Sequence, residues 1–242
     1  MSPDVIAWTL ALLAVAAPPA SQHDCPPAAS TALEQAADDS ARGDFAAAAE
    51  RLRLGYESAG TCNPLGLAAW AWRGWMAAME AADRGGSPDA LAPVRDAIAV
   101  VTALGEPRSE AGYAAALVSA AAAAAQDERE EMLVWIDEAH ARSARLRLAG
   151  APPRWPLTVD LAEGELWRGV HDYELAEAGF ERAIAAGESP VAWRGLARTR
   201  DRRGNVTGAC DAYRHVLRLL AADPAPGVLA LEARGYLVNC AP

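Results

Sequence analysis

Apolar and small residues recur along this chain at helical spacing, and in one stretch the pattern is written twice. Residues 157–188 carry Trp167, Tyr173, Ala176, Phe180 and Ala183, and residues 190–221 carry Leu196-Ala197, Val206, Ala209, Tyr213 and Val216. A shift of 33 residues lays Tyr173 on Val206, Ala176 on Ala209, Phe180 on Tyr213 and Ala183 on Val216. Polar turns fall at matching places, His171-Asp172 in the first copy and Gly204-Asn205 in the second. Periods near 3.6 broken by such turns predict paired helices, and a repeat of this length predicts stacked pairs.

Earlier segments follow the pattern more loosely. Gly43-Asp44-Phe45 followed by Ala48 predicts a hairpin over about residues 29–59. Residues 64–84 and 89–104 predict a second hairpin, with Ser87 as N-cap and Pro88 as the first helical residue. Glu110–Ala125 and Met132–Leu148 predict a third. Pro152, Pro153 and Pro156 break the chain before the fourth, and Gly227–Asn239 predicts a closing helix after the fifth. The expectation is five hairpins and a cap, about eleven helices.

The amino-terminal pattern differs. Val5–Ala17 is an apolar run of 13 residues interrupted only by Thr9, followed by small residues and prolines up to Ala20. This is short for a membrane span, which needs ~20 residues, and suits the apolar core of a signal peptide. Residues 1–20 are therefore expected to be a signal peptide and 21–242 a single helical domain, periplasmic or secreted. Contact with a membrane is expected only through residues 1–20, were they left uncleaved.

Composition reinforces the helical reading. Of 242 residues, 60 are alanine, all 22 basic residues are arginine, and 32 are acidic, for a net charge of −10. Alanine, leucine, glutamate and arginine favour helix. The charge argues against broad electrostatic binding to nucleic acid. The absence of lysine excludes Schiff-base chemistry and a phosphate-loop lysine.

The paired segments at 157–221 resemble the tetratricopeptide repeat (TPR), a helix–turn–helix unit of about 34 residues. The matching positions are Gly164 and Ala197 on the first helix, the turns at His171 and Gly204, and the small–aromatic–small set of the second helix. The resemblance implies an all-α, right-handed α-solenoid of about five TPR-like hairpins with a carboxy-terminal capping helix. It also implies a protein or peptide partner along the concave face. On that register Arg194, Arg198 and Arg202 follow one another at single-turn spacing, and Arg168 of the preceding repeat joins them. Several guanidinium groups on one face suit an acidic partner or a terminal carboxylate; ion pairs with neighbours such as Glu165 or Asp201 are the alternative. Trp72, Trp75 and Met79 form an apolar stripe, read either as core or as an anchor for a partner.

The same hairpin arrangement pairs the four cysteines. Cys25 and Cys62 flank the first hairpin, while Cys210 and Cys240 sit on helices whose ends meet if they run antiparallel. The expectation is Cys25–Cys62 and Cys210–Cys240, with four unpaired thiols as the alternative.

Catalytic patterns are missing from the sequence. The histidines are His23, His140, His171 and His215, with none of the HExxH, GxSxG, GxGxxG or phosphate-loop motifs. No cofactor, metal or catalytic residue is expected. The sequence thus points to an exported interaction scaffold rather than an enzyme. Two alternatives stand beside it: an accessory subunit of an envelope transport or secretion complex, and a small-ligand-binding protein or hydrolase with a pocket inside the superhelix.

Overall fold

The structure, a computed structural model, describes residues 25–59, 62–83, 85–105, 109–187, 189–221 and 227–240. The expected signal peptide lies outside these residues. Among the described residues there are eleven helices and no strand: α1 (Pro27–Ala41), α2 (Phe45–Ala59), α3 (Asn63–Asp83), α4 (Ala92–Ala103), α5 (Glu110–Ala125), α6 (Arg129–Leu148), α7 (Val159–Gly169), α8 (Tyr173–Ala186), α9 (Pro190–Arg202), α10 (Val206–Leu219) and α11 (Val228–Leu237).

One backbone device ends the first helix of every hairpin. A residue in the left-handed region follows the helix: Gly43, Gly85, Asp127, His171 and Gly204, with φ of 72°, 74°, 58°, 63° and 78°. The next residue then donates its N–H back five positions, as Asp44 to Asp39 at 2.9 Å, Gly86 to Ala81 at 2.9 Å, Glu128 to Ala123 at 3.0 Å, Asp172 to Trp167 at 2.9 Å and Asn205 to Arg200 at 2.8 Å. This closure satisfies carbonyls that the helix end leaves open. In three hairpins the same residue also caps the next helix. Asp44, Asp172 and Asn205 accept from the N–H of Ala47, Leu175 and Gly208. His171 therefore occupies the place glycine holds in the fifth hairpin.

Hairpin two departs from its expected boundary. Helix α4 starts at Ala92, and the Ser87 hydroxyl accepts from Ala90 N–H at 3.3 Å, capping a separate turn. Pro93 explains the delay. A helix begun at Pro88 would place Pro93 where its N–H is needed by the ladder, whereas a start at Ala92 leaves it in the first turn.

Packing follows the hairpin order. Each pair packs on itself, each second helix packs on the first helix of the next unit, and the first helices α1, α3, α5, α7, α9 and α11 touch in sequence. This is an α-solenoid. Helix α5 shows what the alanine does. It packs against α3, α4, α6 and α7, and Ala111, Ala114, Ala116, Ala120, Ala121, Ala123 and Ala125 are all buried. A helix contacted from so many sides has room for little else.

Both ends of the array are tied. Cys25 and Cys62 stand at disulfide distance across the first hairpin, with Cα atoms 5.2 Å apart, and Cys210 and Cys240 join α10 to the end of α11 with Cα atoms 6.0 Å apart.

Candidate functional site

The array curves far enough for its ends to meet. The turn between α1 and α2 lies against α9 and α11: the Phe45 ring sits 5.3 Å from the Arg194 guanidinium carbon, and Gly43 packs on Leu229, which is fully buried. Phe45 also touches Trp72, with ring centroids 5.2 Å apart.

Beneath this contact lie most of the arginines expected in the groove. Arg168, Arg194 and Arg198, with Glu165 and Glu232, act on one another electrostatically across α7, α9 and α11. Arg198 forms a two-pronged pair with Glu232, both contacts at 2.7 Å, and the Tyr213 hydroxyl donates to the same carboxylate at 2.8 Å. Burial pushes the Glu232 carboxyl up, but these hydrogen bonds outweigh it and hold it below its usual range. Arg168 is bound to Glu165. Arg194 is different. It is only 7% exposed, has no ion pair among the described residues, and its Nε–H finds no acceptor there. Burial pushes its pKa down. Arg202 is exposed at the end of α9. The open row of four arginines expected from the spacing is therefore one buried, two paired and one exposed, because the first hairpin's turn and the acids of α7 and α11 reach the same face.

The Trp72–Trp75–Met79 stripe is divided. Trp72 and Trp75 are core residues, 0% and 3% exposed, because α3 is packed by α1, α2, α4 and α5. Their role as a partner anchor is thus corrected. Met79 instead borders a groove between α2 and α3, with Pro93 of α4 at one edge. The groove encloses about 880 Å³, and its apolar lining includes Tyr56, Trp70, Met76 and Met79. Arg53 on its wall is held by Glu50 and Glu57. Arg73 stacks 4.6 Å above the Trp70 ring and has no carboxylate partner among the described residues. Sequence reasoning missed Trp70, Arg73 and Met76. Their signal was present, since positions 69, 70, 73, 76, 77 and 80 also share one helical stripe.

A third cluster joins hairpins three and four. His140 on α6 hydrogen-bonds Glu163 on α7 at 2.9 Å, and Arg182 on α8 reaches Glu163 at 2.6 Å and Asp160 at 3.5 Å. The ligand atoms of His140, Asp160 and Glu163 lie within 4.8 Å of one another, a spacing that suits a cation, and the Arg182 guanidinium already supplies one there. His215 stacks on Trp193, centroids 4.0 Å apart, while Cys210 is tied to Cys240.

The repeated turn and packing order decide the fold class. The fold is TPR-like. No family model and no curated protein matches the chain. Among solved structures, a thermophilic TPR protein from Thermus thermophilus is 19% identical, with 87% of this chain and 99% of that chain covered and a TM-score of 0.49. No described helix is long and apolar enough to cross a membrane.

Proposed function

We propose that the protein is an exported interaction scaffold, periplasmic or secreted, that acts by binding a protein or peptide partner in the groove between α2 and α3. Residues 1–20 serve as its signal peptide, and residues 21–242 form one binding domain. Two cysteine pairs at disulfide distance support an oxidising compartment.

The groove is the observation that carries this reading. It holds half-buried Trp70, Met76 and Met79 in a concave apolar setting, the kind of surface into which an amphipathic helix lays its apolar face. Methionines adapt to such a surface by changing rotamer. Arg73 adds direction. With Trp70 under it and no ion pair of its own among the described residues, it suits an acidic residue next to the partner's apolar face.

Capture from envelope extract, compared between wild type and Met76→Glu, tests the assignment. A partner held by wild type and by Arg202→Ala but lost by Met76→Glu supports it, with circular dichroism confirming that each variant is folded. Equal capture by all three would remove the groove from consideration. The same volume also lies in the range of small-molecule pockets. Loss of a small apolar ligand, rather than a protein, from the Met76→Glu sample would favour that second reading.

A further inference from the structure

Arg194 is the odd cation of its layer. Arg168 is matched by Glu165 and Arg198 by Glu232, while Arg194 faces an aromatic ring and leaves its Nε–H without an acceptor. A buried guanidinium without an ion pair of its own is a costly arrangement. The ring above it offsets part of that cost through its quadrupole, but supplies no hydrogen bond.

The first hairpin meets Arg194 through few contacts. The turn at residues 42–45 reaches across it, with Gly43 on Leu229 and Phe45 on Arg194. Neither α1 nor α2 packs extensively on α9 or α11. The first hairpin is an end of the array, packed in order against α3 alone, and solenoid ends open more readily than the middle.

We propose that the α1–α2 turn is a displaceable latch over an anion site centred on Arg194, and that the ligand which displaces it is a carboxylate-rich peptide. Charge supports this occupant. With Glu165 and Glu232 already engaged, the layer keeps one positive charge in excess, and a carboxylate pairs with guanidinium through two parallel hydrogen bonds. The latch and the α2–α3 groove are separate surfaces, although α2 contributes to both, so either can fail without the other.

Arginine modification by phenylglyoxal, mapped by mass spectrometry on the disulfide-intact protein, tests the latch directly. In wild type Arg194 reacts slowly and exposed Arg202 reacts fast. Phe45→Ala is expected to raise the Arg194 rate at least tenfold and to leave Arg202 unchanged. Hexaglutamate peptide is then expected to slow Arg194 again, to bind Phe45→Ala at least tenfold tighter than wild type by calorimetry, and to lose that affinity in Phe45→Ala combined with Arg194→Gln. Leu229→Ala, which trims the other side of the contact, gives the same result should Phe45→Ala fail to fold. Unchanged protection of Arg194 in a folded latch variant overturns the proposal. So does hexaglutamate binding that ignores the latch or survives Arg194→Gln.

Discussion

The Phe180 ring lies directly against the backbone of Gly195, so that a β-carbon there would overlap it. Gly164 meets the same ring from α7, where a β-carbon would stand 2.8 Å away. Phe180 is fully buried between these two glycines, at the point where α7, α8 and α9 cross. Alanine normally strengthens a helix over glycine by ~1 kcal/mol. At residue 195 overpacking, worth ~1–3 kcal/mol, opposes that gain. Gly195→Ala is therefore expected to destabilise the protein by up to about 2 kcal/mol in a denaturant melt. Gly235→Ala, where nothing lies within 4 Å, is expected to stabilise it by up to ~1 kcal/mol. The opposite signs check the crossing.

That crossing was legible in the chain as the small–aromatic–small pattern at Ala176, Phe180 and Ala183, because close packing of helices restricts side-chain size locally. Three of the turns were legible for a related reason, since a left-handed residue followed by Asp or Asn, as at Gly43-Asp44, His171-Asp172 and Gly204-Asn205, is a short-range signal. Closure of the array was not. Whether Phe45 reaches Arg194 depends on small angles accumulated over five hairpins, and no local window carries that sum. The stripe on α3 was ambiguous for another reason: Trp72 and Trp70 both belong to regular helical stripes, and only the number of neighbouring helices decides which is buried.

The disulfides act where the array is weakest. Cys25–Cys62 and Cys210–Cys240 span 37 and 30 residues. Cross-links of this span stabilise by ~2–4 kcal/mol, chiefly by restricting the unfolded chain. Cys210→Ser with Cys240→Ser is expected to lose that amount. The loss should be local, with α10 and α11 giving up amide protection in hydrogen exchange while α5 and α6 keep theirs. Uniform loss across all helices would contradict a solenoid with separable ends.

Tyr113 anchors the proline-rich link between hairpins three and four. Its hydroxyl donates to the Leu157 carbonyl at 2.6 Å, and the side chain is fully buried. Burial pushes its pKa far above the ordinary tyrosine value. Tyr113→Phe keeps the ring and strands the carbonyl, which costs ~1–3 kcal/mol. The denaturation midpoint should fall accordingly, with the helical circular dichroism unchanged.

The His140–Glu163 pair links hairpins three and four through charge, so stability should depend on pH with a sign set by two groups. The hydrogen bond to Glu163 raises the His140 pKa above 6.5, helped by Asp160 and opposed by burial and by Arg182. A raised folded-state pKa contributes stability that is complete below about 6.5 and is lost as pH rises through the folded value. Glu163 behaves in the opposite sense. Burial pushes its pKa up, but hydrogen bonds from His140 and Arg182 outweigh this and lower it below 4.5. Its contribution is complete above about 4.5 and is lost as pH falls through the lowered value. Both contributions are therefore present together between about pH 4.5 and 6.5, and the fall above that window belongs to the histidine. His140→Gln is expected to flatten the decline in denaturation midpoint from about pH 6 to about pH 8 and to shrink the acid limb to the part that Arg182 supports. His140 is 38% exposed on its side chain, so solvent screens the pair and the effect should weaken in high salt. An NMR titration of the His140 ring gives the direct measurement, and a midpoint at or below 6.5 would remove this pair as the cause.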